Sequence, residues 1–438
     1  MGRRFLWIGL IVLVAINLIA LPKTLAQEDW GVPGSWRQDD NHDLRFLVGT
    51  IRAEKAPFKW FVSDWPLYNG FYRPLPTLSF EFDYWLYGVD LSNMKKTNWI
   101  ICLLTSILLF WLVWELFRLR WLAFGCSALF SIWQVDFQSV LPIKETAIVL
   151  GLVCIVLAII SGRLYCFKWL GVAALFLYLS QELTLIVGGR DALGETLANR
   201  VEHWPVGRTA TLLAMFAVSC FASYCRFERE KQARWGVVSL VCLLCCFATY
   251  EQSVIVAPAL LGCAVALRVQ GVQVRWLLHS IPILLTGLYL GLHRLCLDWE
   301  HPYHLQAKKP LKGAIREFGY WLFPNSKFLY LLGFPFDPLI GAGALFYGPF
   351  WTSVFSISSN IVSLFYMKRR LLIVSFGMAM SLGTYIPLGL QQNLAHYFYL
   401  SVAFRSILVC GLIWIVYDLI IESPQLKKWR NWKVKTAV

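Results

Sequence analysis

Long apolar runs, broken by short polar, basic or proline-containing stretches, dominate the chain. A helix of about 20 apolar residues crosses the hydrocarbon core of a bilayer. On that measure the pattern predicts helices near 4–22, 98–117, 121–139, 142–162, 169–187, 205–225, 276–294, 341–365, 371–389 and 398–419. The run 235–267 is too long for one span and carries Glu251 at its centre, so it reads as two short helices meeting at Thr249-Tyr-Glu-Gln252. Segments 43–55 and 312–323 have the amphipathic pattern of helices that lie on a membrane surface. The expected fold is an all-α polytopic membrane protein of about 11–12 transmembrane helices.

The same pattern sets the organisation. Residues 1–22 form a first transmembrane helix, and 23–97 a large non-cytoplasmic loop bearing amphipathic helices and the acidic pair Asp39-Asp40. A transmembrane body follows over 98–294, then a second non-cytoplasmic loop over 295–340, C-terminal transmembrane helices over 341–420 and a basic cytoplasmic tail over 421–438. Residues 1–26 also have the marks of a signal peptide, with Arg3-Arg4 ahead of an apolar stretch and Thr24-Leu-Ala26 after it. A retained first helix is the preferred reading.

Composition agrees. Of 438 residues, 58% are hydrophobic and only 15% charged, which excludes a soluble domain. The net charge of +14 raises the question of a nucleic-acid partner. The clusters Arg3-Arg4, Arg118 with Arg120, Arg163 with Lys168, Arg226 to Arg234, Arg268 with Arg275, Lys368-Arg-Arg370 and Lys427 to Lys435 answer it. Threaded through the spans, all fall on one face, provided that 235–267 crosses twice or not at all. That is the positive-inside pattern of cytoplasmic loops, with both termini cytoplasmic. No basic stripe interleaved with aromatics remains, so no nucleic acid is expected. The protein is read as residing in a bacterial inner membrane or in the endoplasmic reticulum.

The 12 cysteines add little, because almost all lie in apolar runs and none lies in 23–97. Cys242-x-x-Cys245 has metal-site spacing, but in an apolar helix without a neighbouring His it reads as packing. His301-x-x-His304 lacks a third ligand. A metal ion is therefore not predicted, and no cofactor is required.

With topology assigned, unusual polar residues gather on the non-cytoplasmic side. They include Asp39, Asp40, Arg73, Gln181-Glu182, Arg208, Glu251, His301, His304, Lys308, Lys309 and His396. Singly, each has an ordinary reading as a loop residue, a helix-end residue or a cation reaching headgroups. Together they point to one site at the outer surface, since ionisable groups at membrane depth face a cavity or a partner. An internal repeat supports this. Leu141-Pro-Ile-Lys-Glu-Thr-Ala147 with Gln181-Glu-Leu-Thr-Leu-Ile-Val187 parallels Trp204-Pro-Val-Gly-Arg-Thr-Ala210 with Glu251-Gln-Ser-Val-Ile-Val256, as in a duplicated helical hairpin.

The first loop carries Asp39-Asp40 with Leu44, Tyr72-Arg-Pro-Leu75, Leu78-Ser-Phe80, Asp83-Tyr84, Leu86, Gly88 and Thr97-Asn98. Later segments are Ala128-Leu-Phe130, Trp204-x-x-Gly-Arg208 with Leu212-Leu-Ala214 and Phe216, Glu251 with Pro258, and Tyr397-Phe-Tyr-Leu400. In these residues the chain resembles the GT-C superfamily of multi-span glycosyltransferases, and most of all its protein O-mannosyltransferase-like branch. The chain departs from the family pattern at Lys95, Trp133-Gln134, Gln138, Tyr250 and His396, and no tetratricopeptide repeat follows.

The resemblance implies a GT-C-like fold and transfer of a sugar from a polyprenyl-phosphate donor to an acceptor on the non-cytoplasmic side. Asp39, with Asp40 second, would be the general base on the acceptor hydroxyl. Arg73, Arg208, His301, Lys308 and His396 would compensate the leaving phosphate, and Glu251 and Tyr397 would orient these groups. The donor lipid and membrane lipids are the implied partners, and the acceptor is unknown. The alternative is a non-catalytic GT-C-fold subunit of a larger assembly with membrane-protein partners. A transporter would explain the midplane charges but not the acidic loop.

Overall fold

The computed structural model describes residues 9–18, 47–54, 57–66, 71–88, 90–132, 207–296, 361–385 and 398–421, together with 153, 172, 173, 176 and 179. Among these residues every regular element is helical. In chain order they are α1 (Gly9–Leu18), α2 (47–54), α3 (Pro74–Tyr87), α4 (Leu91–Phe117), α5 (Arg120–Ile132), α6 (Arg208–Glu230), α7 (Ala233–Phe247), α8 (Val256–Val269), α9 (Ser280–Cys296), α10 (Ile361–Tyr385) and α11 (Tyr399–Ile421). Five helical stretches are long and apolar enough to cross a membrane: Asn93–Phe117, Arg208–Glu230, Glu251–Val269, Trp276–Leu295 and Tyr399–Asp418. The chain is a membrane protein built of helices.

Polar residues and a proline set several helix ends. Asp90 caps α4 by accepting the Asn93 amide at 3.1 Å. Pro74 opens α3, where its missing N–H costs nothing. Arg118 and Lys231 close α4 and α6 in the left-handed region, at φ 54° and 58°. The anticipated break inside 235–267 is also there. α7 ends at Phe247, Tyr250 is extended, and a 3-10 turn Glu251–Ile255 leads into α8. Pro258 has no N–H to give to Val254, so it fits only the first turn of a new helix.

Boundaries differ at two places: α4 begins at Leu91 and not near 98, and the basic triplet does not end a helix. The sequence separates helices at 341–365 and 371–389 by Lys368-Arg-Arg370, whereas α10 runs unbroken through these residues. The charges of Arg369 and Arg370 are met along the helix instead of in a loop. Arg369 donates to the Phe117 carbonyl at the end of α4, and Arg370 pairs with Asp418 of α11 at 2.6 Å.

α4 and α6 run parallel, joined at both ends. Asn98 meets Arg208 near their starts, and the Glu115 carbonyl accepts from Arg229 near their ends. α11 runs in the same direction, and α5, α7 and α10 run the other way. The core is the apolar seam between α4, α6, α8 and α11, with Leu213, Phe221, Leu260 and Phe404 fully enclosed. α11 is central, with 89% of its apolar window buried, and α9 is peripheral, at 22%. α10 and α11 approach closely because Gly377 and Gly411 face the neighbouring backbone. A carbon added at Gly377 would lie 2.5 Å from the Leu408 backbone nitrogen.

α1 is held by polar contacts within this apolar body. Asn17 donates to Ser131 at 3.2 Å, Ser131 reaches Ser106 at 3.0 Å, and Trp99 donates to the Asn17 carbonyl at 2.9 Å. Away from water such bonds fix register, because the alternative is an unsatisfied group. The bundle has two chemically distinct ends. One gathers Arg118, Arg120, Arg226, Arg229, Lys231, Arg275, Arg369 and Arg370, and the other holds α3 and the start of α6.

Candidate functional site

α3 lies across the second end and is fastened at both of its own ends. At its start the Leu75 amide donates to the Ala248 carbonyl at 3.0 Å, joining α3 to the break after α7. Arg73, the residue before the helix, gives a forked contact to Glu251. Its Nε is 3.2 Å from both carboxylate oxygens, and its Nη2 is 2.8 Å from Oε2. The guanidinium sits among Phe71, Trp65 and Tyr250, with its carbon 4.1, 4.3 and 4.7 Å from the ring centroids. A fork to a carboxylate with aromatic faces around it is a task for which Lys is no substitute. Both side chains keep some exposure, 12% for Arg73 and 25% for Glu251.

Near its other end α3 presents Asp83. The stripe Thr77, Phe80, Asp83 recurs every three residues and is buried against α4 and α6. The Asp83 carboxylate accepts from Thr97 at 2.6 Å and lies 2.5 Å from Arg208 Nη2. Arg208 is the first residue of α6 and is fully enclosed. It donates from Nε to Asn98 at 2.8 Å, from Nη1 to the Ser79 carbonyl at 3.2 Å, and from Nη2 to the Met94 carbonyl at 2.8 Å. The Phe80 ring covers its face at 4.4 Å. Burial pushes the Asp83 carboxyl above its ordinary range, against the pull of the Arg208 guanidinium. Thus one arginine ties α3, α4 and α6 together.

More polar and aromatic groups line this end. Gln252 donates to the Thr384 carbonyl at 3.0 Å, and Thr384 shares a hydrogen bond with Ser401 at 2.9 Å, so the turn after Tyr250 also holds α10 and α11. Tyr289 of α9 stacks on Phe247 at 4.7 Å and stands 6.5 Å from Tyr72 and 5.5 Å from His293. Lys95 is buried one turn before Asn98.

Of the sequence candidates, the structure describes Arg73, Arg208 and Glu251. It brings Arg73 and Glu251 into contact and seats Arg208 beneath α3 among protein acceptors. Asp39, Asp40, His301, Lys308, His396 and Tyr397 lie outside the described residues, as does Glu182 with most of the first repeat unit. Sequence reasoning gave no role to Asp83, Thr97, Asn98 or the ring cage of Trp65, Phe71 and Tyr250. Asp83 had a legible signal, a carboxylate at helical spacing from Pro76, Thr77 and Phe80 on one face. Among the described residues no three His, Cys, Asp or Glu side chains converge as metal ligands, and Cys242 and Cys245 are free thiols on α7.

Comparison with family models, with curated proteins and with solved structures finds no match.

Proposed function

We infer that this chain is a GT-C-like glycosyltransferase of about 11–12 spans. It moves a sugar from a polyprenyl-phosphate donor to an acceptor on the side of the membrane that holds α3. The basic end is then cytoplasmic, and so are both termini. The single observation that supports the reading is a convergence. Arg73, Asp83, Thr97, Asn98, Arg208 and Glu251 carry the family resemblance from separate parts of the sequence, and they gather at one end of the bundle as two bonded clusters, one at each end of α3.

In this reading Arg208 is a positioning residue that holds α3 as a rigid floor. Arg73, partly exposed and aimed by Glu251, stands nearer to a ligand. Asp39 is the general base, with Asp40 as its neighbour, and His301, Lys308 and His396 supply the remaining positive charge for the departing phosphate. No cofactor is needed for this chemistry. The test is transfer of labelled sugar from polyprenyl-phosphate donors by membranes that contain the chain. Asp39→Asn is expected to cut turnover by about 10²-fold or more without loss of folded protein, the scale of a lost general base. Unchanged transfer in an Asp39→Asn, Asp40→Asn double variant would overturn the reading.

A second reading has its own observation. The guanidiniums of Arg73 and Arg208 both bind protein carboxylates, as in a structural scaffold. A non-catalytic subunit would co-purify with a partner membrane protein and show no transfer alone, and its assembly would survive loss of both acids.

A further inference from the structure

At the basic end, α4, α6 and α7 meet around three tryptophans. Trp111 and Trp235 stand 5.7 Å apart, edge to face, and Trp114 lies one turn from Trp111 on α4. Four arginines surround them. Arg226 and Arg234 lie 4.2 and 5.4 Å from the Trp235 centroid, and Arg118 and Arg120 lie 5.4 and 5.3 Å from that of Trp114. Two acids are present, and each already has a cation. Glu230 pairs with Arg226 at 2.8 Å, and Glu115 pairs with Arg118 at 2.5 Å. Arg120 and Arg234 are exposed, and among the described residues neither pairs with an acid. The corner is therefore positive in excess.

Below Arg234 the surface changes character. Val237, Val241 and Leu244 follow it at helical spacing on one face of α7, and they are 58%, 52% and 50% exposed. From residue 234 to residue 244 the helix rises about 15 Å, which is half of a hydrocarbon core about 30 Å thick. A cation fork, indole rings at the boundary and an apolar strip one leaflet deep match an amphiphile with an anionic head. Arg binds phosphate oxygens through its planar fork, and indoles settle at the headgroup level.

We propose that the corner formed by Arg234 and Trp235, within the positive charge of Arg118, Arg120 and Arg226, is a binding site for an anionic phospholipid, with its phosphate on Arg234 and its acyl chain along Val237, Val241 and Leu244. The site is remote from α3 and does not depend on the transferase reading.

The test uses the full chain, purified in a neutral detergent and titrated with phosphatidylglycerol or phosphatidylcholine, with bound lipid counted by native mass spectrometry. Preferential retention of one phosphatidylglycerol is expected. R120Q/R234Q should weaken it roughly tenfold or more, since each cation near an anionic headgroup contributes a several-fold factor. R268Q, which removes an exposed arginine from the end of α8, should leave retention unchanged and controls for net charge. All these arginines are exposed, so unchanged melting temperatures are expected. Equal retention of the two lipids, equal loss in R268Q, or parental retention in R120Q/R234Q would overturn the proposal. Displacement of the lipid by inorganic phosphate at equal concentration would assign the corner to free phosphate instead.

Discussion

Arg208 and Asp83, 125 positions apart in sequence, form an ion pair from which water is excluded on both sides. Such pairs are costly to build and more costly to break, because removing one partner strands a charge. Asp83→Asn or Arg208→Ala should each destabilise the folded chain by about 3–5 kcal/mol. The double replacement Arg208→Met with Asp83→Leu removes both charges and should recover much of that loss. Thermal unfolding of the detergent-solubilised protein reads the three variants. A double variant no more stable than the singles would show that Asn98 and the carbonyls of Ser79 and Met94 carry the junction.

Arg73 and Glu251 differ from that pair in being open to solvent. The fork is charge-assisted, so Glu251→Gln should cost about 1.5–3 kcal/mol, toward the low end because solvent shares the site. Arg73→Lys should cost nearly as much as Arg73→Ala, since an ammonium cannot make the fork or lie flat among Trp65, Phe71 and Tyr250. Matched melting curves for Arg73→Lys and the parent would refute the geometry.

The parts of the fold legible in the sequence were those that periodicity or a breaker enforces. Glu251 at the centre of a run too long for one helix announced a break because a charge at mid-span is costly. Lys368-Arg-Arg370 misled for the complementary reason. The Phe117 carbonyl and Asp418, which allow α10 to continue, come from other helices and leave no local mark. The site was legible in the same partial way. Arg73, Arg208 and Glu251 were marked by charge in apolar surroundings. Which of them meet was not, because Asp83 takes Arg208 only once α3 has folded across α4 and α6.

Close helix approach gives a sharper contrast. Gly377→Ala places a carbon 2.5 Å from backbone of α11, where nothing can rotate away, so α10 must shift. About 1–3 kcal/mol of destabilisation is expected. Gly383 lies on the same helix with nothing within 4 Å of such a carbon. Gly383→Ala should instead stabilise by up to about 1 kcal/mol through helix propensity. Melting temperatures moving in the same direction for both would argue that α10 and α11 do not pack through Gly377.

The two ends of the bundle predict a labelling pattern. Trp85 on α3 is 76% exposed, and Arg234 at the start of α7 is exposed at the other end. α6 separates these ends, and its 23 residues span about 35 Å, more than a hydrocarbon core. Among the described residues the free cysteines are buried or, at Cys242 and Cys245, half-buried within apolar helices, where a polar reagent reacts slowly. In sealed vesicles of one orientation, a membrane-impermeant maleimide should modify either Trp85→Cys or Arg234→Cys, and the other only after permeabilisation. The basic end is expected to be the cytoplasmic one, because Arg and Lys are retained there during insertion. Arg234→Cys should therefore react in inside-out vesicles and Trp85→Cys in right-side-out ones. Reaction of both from one side would mean that α6 does not cross the membrane, and α3 would no longer be the outer floor of a site.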